Sequence, residues 1–176
     1  MPTIPVDGLL FDIKTTYDAQ KYDEWDYYRS VLPPQKSYSA MDLVIARAQR
    51  SPVEVWLVEA NDFRMITRPP ERSNLNGLAE TVAKKVSDTL AGLRDAAGAA
   101  AQTNERRLAE RALTAQKRRV VLHLEPHTGH RSKLFPSNFS SGVLQKLRQV
   151  VGHIDPQPLV LNIANTGRAG VPWRVS

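Results

Sequence analysis

Residues 39–64 read SAMDLVIARAQRSPVEVWLVEANDFR, and this stretch decides the fold. Two apolar runs, Met41–Ala46 and Val53–Ala60, flank Arg50-Ser51-Pro52 and are rich in β-branched and aromatic residues, which suit strands. A hairpin centred between Arg50 and Ser51 pairs residues whose numbers add to 101, so Asp42 faces Glu59 and Arg47 faces Glu54. Side chains alternate along a strand, so Glu59 and Asn61 share a face, and Asp42 joins them across the hairpin. A slip of one residue would send Asp42 to the opposite face. Two carboxylates and an amide thus converge at one end of an apolar hairpin. Carboxylates that close repel each other and lose solvation unless a cation lies between them, which is the pattern of a divalent-metal site. Acids at the open end of a hairpin also suit solvated strand ends, and the pattern alone does not separate the two.

An acid opening one strand, a hairpin, and Glu-x-Lys closing the next form the signature of the PD-(D/E)xK nuclease superfamily. This stretch resembles it, with Met41-Asp42 in place of Pro-Asp and Glu59-Ala60-Asn61 in place of Glu-x-Lys. The resemblance implies a restriction-endonuclease-like core. It also implies Mg²⁺ or Mn²⁺ held by Asp42, Glu59 and the backbone carbonyl of Ala60, and hydrolysis of phosphodiesters, DNA more than RNA. Asn61 falls at the position of the lysine that orients the attacking water and stabilises charge on the phosphate. Asparagine can orient a water but brings no positive charge. By the same resemblance, Lys84 or Lys85 on the following helix replaces that charge, and Glu24 on an N-terminal helix adds an acid to the metal site.

The chain of 176 residues suits a single domain spanning 1–176, and its 41% hydrophobic and 24% charged content is ordinary for a globular protein. No apolar run approaches a membrane span, and the N-terminus lacks the basic and long apolar regions of a secretory signal. Zero cysteines exclude disulfides and thiolate metal sites and agree with a reducing, cytoplasmic setting. Charge is divided along the chain. Up to Arg64 there are 7 Lys+Arg against 10 Asp+Glu, and from Met65 there are 17 against 8. An acidic front that holds a cation and a basic back that holds phosphates is what a metal-dependent nuclease needs, although many basic proteins share it.

Taken in order, Ile4–Lys14 reads as a short first strand, and Thr15 or Thr16 as the N-cap of a helix from Tyr17 to Leu32, stopped by Pro33-Pro34. Tyr22, Trp25 and Tyr28 form its packed face. Little room separates this helix from Asp42. Either Ile4–Lys14 supplies the strand that the superfamily places there, or Ser37–Ala46 is one long strand. After a polar loop, Leu78–Leu93 reads as an amphipathic helix with Leu78, Val82, Val86, Leu90 and Leu93 on one face. The alanine-rich 95–102 stretch either extends it or loosens into a linker, with Gly98 weakening it.

Asn104–Gln116 is a further helix, leading into a strand at Val120–Leu124. Arg106, Arg107, Arg111, Lys117, Arg118 and Arg119 put six bases into fourteen residues, the main phosphate-binding candidate, unless Glu105 and Glu110 neutralise them at helical spacing. Loop residues Arg131 and Lys133 are candidate phosphate contacts. His123, His127 and His130 lack a fourth ligand at a recognisable spacing, so zinc is not expected. Ser140-Ser141 caps a helix at Gly142–Val151, Leu159–Ala164 reads as a buried strand, and the 167–174 tail is loop-like with Trp173 packed down.

The element order points to an α/β fold, a mixed central β-sheet flanked by helices. The leading expectation is a metal-dependent nuclease acting on nucleic acid and no membrane, as a homodimer or in a larger complex. The alternatives are a non-catalytic nucleic-acid-binding or scaffolding subunit, and an unrelated α/β interaction protein.

Overall fold

The computed structural model describes residues 1–31, 38–49, 54–64, 77–127, 135 and 137–176. Strands β1 (Thr3–Val6), β2 (Leu9–Ile13) and β8 (Trp173–Val175) form a three-stranded antiparallel sheet in the order β1-β2-β8. A five-stranded mixed sheet takes the order β3 (Tyr17–Lys21), β4 (Leu43–Arg47), β5 (Glu54–Asp62), β6 (Lys117–Glu125) and β7 (Leu159–Leu161). The first three strands are antiparallel neighbours, while β5, β6 and β7 run parallel. A 3₁₀ turn (Tyr22–Glu24) and α1 (Asp26–Val31) follow β3. Helices α2 (Leu78–Ala99) and α3 (Thr103–Thr114) connect β5 to β6, and α4 (Phe139–Val151) connects β6 to β7. The short α5 (Ile163–Thr166) follows β7. The expected α/β class, a mixed sheet flanked by helices, is what the chain forms.

Parallel neighbours require crossovers, and the helices that supply them cover one face of the sheet. Val44, Leu57, Val120 and Leu122 face Val82, Val86 and Leu93 of α2, Leu108 of α3, and Leu147 of α4. The other face carries Leu43, Ile45, Trp56, Val58 and Val121, which pack on Phe11, Ile13 and Trp173 of the small sheet. Trp56 and Trp173 meet edge to face with ring centroids 5.5 Å apart. Burial on both faces explains why β4 and β5 read as continuous apolar runs rather than as alternating ones.

The β4–β5 register pairs Leu43 with Val58, Val44 with Leu57 and Ile45 with Trp56, each sum being 101. The turn at Arg50–Pro52 lies outside the described residues, as do Pro33, Pro34, His130, Arg131 and Lys133.

Several expectations fail near the N-terminus. Ile4–Lys14 is not one strand but most of a hairpin turning at Asp7-Gly8, whose φ angles of 46° and 80° are those a two-residue hairpin turn takes. Tyr17–Lys21 is a strand rather than the start of a helix, because it pairs residue for residue with Leu43–Arg47. It precedes β4 in the chain and neighbours it in the sheet, whereas Ile4–Lys14 lies in the other sheet and β4 begins only at Leu43. Tyr22, Trp25 and Tyr28 do cluster, with centroid separations of 4.9 and 5.4 Å, but across a 3₁₀ turn and a short helix.

Further along, α2 runs through Gly98 to Ala99, so the alanine-rich segment is helical as far as residue 99 and not from 100 to 102. Helix α4 begins at Phe139, so Ser140 and Ser141 lie in its first turn instead of capping it. The 159–164 segment divides into β7 and α5, and Trp173 is buried within a strand rather than a loop.

Candidate functional site

At its carboxyl end β5 outruns β4, and the residues beyond Val58 border a cleft of about 350 Å³. Asp7, Asp23, Asp42 and Glu59 supply its carboxylates, Lys21 and Lys85 its cations, and Ala60 and Asn61 part of its wall. Each charged side chain arrives from a different part of the fold. Asp42 stands one residue before β4 and is held by its surroundings on both sides. The Met41 N–H donates to Thr89 Oγ1 of α2 at 2.9 Å, and the Tyr22 N–H donates to the Asp42 carbonyl at 2.9 Å. That second bond also brings Asp23 beside Asp42. The Asp42 carboxylate accepts the Ala60 N–H at 2.7 Å.

Glu59 is buried, and its two oxygens differ. Oε1 accepts from Lys85 Nζ at 2.5 Å, whereas Oε2 has no hydrogen-bond partner among the described residues. Burial, then the neighbouring Asp42 charge, pushes the Glu59 carboxyl up to about 8. Burial also raises Asp42, against the lowering effect of the Ala60 N–H and Lys85. Desolvation works against the Lys85 charge, but Glu59 and Asp42 outweigh it and hold the ammonium above its ordinary range. Asn61 Nδ2 is likewise buried without a partner among the described residues.

These groups bear directly on whether a divalent cation suits the cleft. Among the described residues no set of three or more His, Cys, Asp or Glu side chains is placed to hold a metal ion. Two carboxylates and a carbonyl are a different donor set. A strand residue turns its N–H and C=O toward the same edge, so Ala60, whose N–H reaches Asp42, presents its carbonyl on the Asp42 side. A buried Glu59 oxygen without a partner among the described residues, in one cleft with Asp42 and Ala60, fits a hard cation, which takes oxygen ligands and keeps several waters.

The structure separates the two lysine candidates. Lys85 enters the cleft, while Lys84 bonds to Asp88 at 2.5 Å and to Ser39 at 3.3 Å on the more exposed side of α2. Glu24 is corrected. It pairs with Lys21 at 2.6 Å and faces solvent, and Asp23, one residue earlier, is the acid of this segment in the cleft. The reason is the 3₁₀ turn, which directs neighbouring side chains differently from the expected α-helix. Asp7 was also missed, although the Asp-Gly pair flanked by apolar residues is a hairpin signal that reveals the turn carrying it.

The bases of β6 lie at the other end of the sheet. Lys117 is level with Glu54 and Arg118 with Val55, so Arg118 sits four residues, or about 13 Å, from the level of Glu59. Arg107, Lys117 and Arg118 are exposed. The remaining three have protein partners. Arg106 donates to the Ala100 carbonyl, Arg111 pairs with Asp18, and Arg119 stacks 5.3 Å from the Trp56 ring centre while donating to the Gln157 carbonyl. Glu105 neutralises none of them, because its carboxylate accepts the Asp26 and Tyr27 N–H groups at 2.7 and 3.2 Å and caps α1. His123 is buried on the small-sheet side, with Nε2 2.9 Å from Glu125 Oε1.

No family model and no solved structure matches the chain. A curated relative is a cysteine–tRNA ligase from Neisseria meningitidis, 25% identical over 213 aligned residues. The alignment takes in all of this chain but only 30% of that protein's length. Among the described residues no helix is long and apolar enough to cross a membrane.

Proposed function

We propose that the chain is a metal-dependent nuclease with a restriction-endonuclease-like core, whose site is the Asp42–Glu59–Lys85 cleft. The observation that carries this reading is the Glu59 carboxylate, buried beside Asp42 with one oxygen on Lys85 and the other unpartnered. A divalent cation, Mg²⁺ or Mn²⁺, held by Asp42, Glu59 and the Ala60 carbonyl would supply Lewis-acid polarisation of a phosphoryl group. Lys85 brings to the cleft the positive charge that Asn61 lacks. Its ammonium is positioned to stabilise negative charge developing on a phosphate, a contribution that grows in a site shielded from water. The buried amide of Asn61 has an unused donor with which to orient a water. DNA is the favoured substrate. The relative's name makes tRNA the RNA to test beside it.

A non-catalytic nucleic-acid-binding or scaffolding subunit is the second reading. It is favoured by the lack of a lysine at position 61 and by exposed bases distant from the cleft. The deciding experiment incubates plasmid, single-stranded DNA and tRNA with the protein and Mg²⁺ or Mn²⁺, comparing the native chain with Asp42→Ala, Glu59→Ala and Asn61→Lys. Cleavage by the native chain that both alanine variants abolish supports the nuclease reading. Cleavage by Asn61→Lys alone indicates a complete site short of one charge. No cleavage by any variant, with nucleic-acid binding retained, favours the subunit.

A further inference from the structure

We propose that Asp7, at the tip of the N-terminal hairpin, is a positioning residue of the cleft that holds the end of β5 in place of a missing strand neighbour. The inference rests on reading the cleft as a cation site, and it adds an element to that site that the hairpin β4–β5 does not contain.

Beyond Val58 the β4-side edge of β5 is without a strand neighbour among the described residues, because β4 begins at Leu43, opposite Val58. On the other edge β6 continues to pair as far as Asp62 with Glu125. A strand end held on one side only leaves alternate N–H groups on the free edge without strand acceptors. Here both donors are taken by side chains. The Ala60 N–H goes to Asp42 Oδ2 and the Asp62 N–H goes to Asp7 Oδ2, each at 2.7 Å. Two aspartates therefore act as surrogate carbonyls for the absent strand, one from the chain before β4 and one from the hairpin of the other sheet.

The residue enclosed by these two bonds is Asn61, with Glu59 immediately before them. Their directions, and that of the Ala60 carbonyl, follow from the extended backbone that the two aspartates maintain. Other contacts secure the same end: Asp62 is bound by Arg64 through Nε at 2.9 Å and Nη2 at 2.8 Å, and the Phe63 N–H reaches the Glu125 carbonyl at 2.9 Å. Asp7 itself has a φ of 46°, a conformation that few non-glycine residues adopt and that aspartate and asparagine tolerate best. The turn alone would be served equally by asparagine or glycine. The bond to Asp62 needs an oxygen acceptor, which asparagine keeps and glycine lacks.

That difference supplies the test. Asp7→Asn retains the turn and an acceptor while removing the charge; Asp7→Gly retains the turn and removes the acceptor. The measurements are Mn²⁺ binding by titration calorimetry and amide hydrogen exchange at Ala60 and Asp62 by NMR, with thermal unfolding to establish that each variant is folded. Asp7→Asn is expected to keep Asp62 protected and to bind Mn²⁺ within about threefold of the native protein. Asp7→Gly is expected to lose about tenfold in both Asp62 protection and Mn²⁺ affinity, the loss of one hydrogen bond to a charged group. A native-like Asp7→Gly overturns the proposal. So does an Asp7→Asn variant that loses as much as Asp7→Gly, since the charge rather than the held backbone would then matter. If the native protein binds no Mn²⁺, the cation reading falls, and Asp62 protection alone decides whether Asp7 holds the strand.

Discussion

Lys85 on α2 and Glu59 on β5 form an ion pair at 2.5 Å that spans the helix layer and the sheet, with the lysine side chain 24% exposed and the glutamate 7%. The pair joins a partly solvated cation to a buried acid. The lysine ammonium reaches the cleft. This geometry returns to the cleft the positive charge that position 61 does not carry.

Substituting Lys85→Met tests that role. The methionine preserves much of the packing but leaves Glu59 without its closest positive charge, so the Glu59 carboxyl rises further above its ordinary range. Cleavage under Mg²⁺ at neutral pH is expected to fall about 100-fold or more, a loss typical of removing one transition-state charge donor. Lys85→Arg should retain part of the rate. Native kcat in Lys85→Met, measured across pH, would confine Lys85 to a structural role.

Glu59 also gives the protein a defined pH dependence of stability. Its carboxyl is raised from 4.5 to about 8 by burial and by Asp42. Between those values the folded state holds a proton that the unfolded state has released, so stability is greatest below the unfolded value and declines as pH rises toward 8. The slope from one such group reaches about 1.4 kcal/mol per pH step. Glu59→Gln removes the titration, and its unfolding midpoint should decline less than the native one between pH 5 and 8 without metal. Parallel declines in the two proteins would contradict this account.

The β4–β5 register was legible because the two apolar runs are centred between Arg50 and Ser51. The observed sum of 101 puts Asp42, Glu59 and Asn61 on the face predicted from the sequence. Lys85 was legible only as one of two neighbours, since a helical repeat does not say which of Lys84 and Lys85 meets a strand 26 positions away. Tyr17–Lys21 misled because its strand character comes from pairing with β4 rather than from its own composition, YDAQK, which carries no β-branched residue. The misplacement of Glu24 followed from the same cause. The six clustered bases were read as one patch because sequence shows proximity along the chain but not the partners, Asp18, Trp56 and Gln157, that engage two of them.

Glu105 links the stability of α1 to the cleft. It is 4% exposed and its two oxygens accept the Asp26 and Tyr27 N–H groups, while the 3₁₀ turn just before them carries Asp23. Glu105→Ala leaves both donors unsatisfied and is expected to cost about 1–3 kcal/mol in urea denaturation. Glu105→Gln, which keeps one oxygen, should cost less. An alanine variant as stable as the native protein would mean that the N-terminus of α1 finds other acceptors.

The exposed pair Lys117 and Arg118 allows nucleic-acid binding to be separated from cation binding. Both lie at the start of β6, with Arg118 about 13 Å along the sheet from the level of Glu59. At that distance the cleft charges and these bases are more than one Debye length apart at physiological salt, so neutralising the bases leaves the cation site unchanged. Lys117→Gln with Arg118→Gln should weaken DNA binding without altering Mn²⁺ affinity. If each base contacts one phosphate, the slope of log affinity against log salt becomes shallower by about 1.8 on duplex DNA. The measurement is fluorescence anisotropy of a labelled duplex from low to moderate salt, with Ca²⁺ in place of Mg²⁺. An unchanged slope would show that the nucleic acid lies elsewhere, leaving the cleft's own lysines, Lys21 and Lys85, as the cations to substitute next.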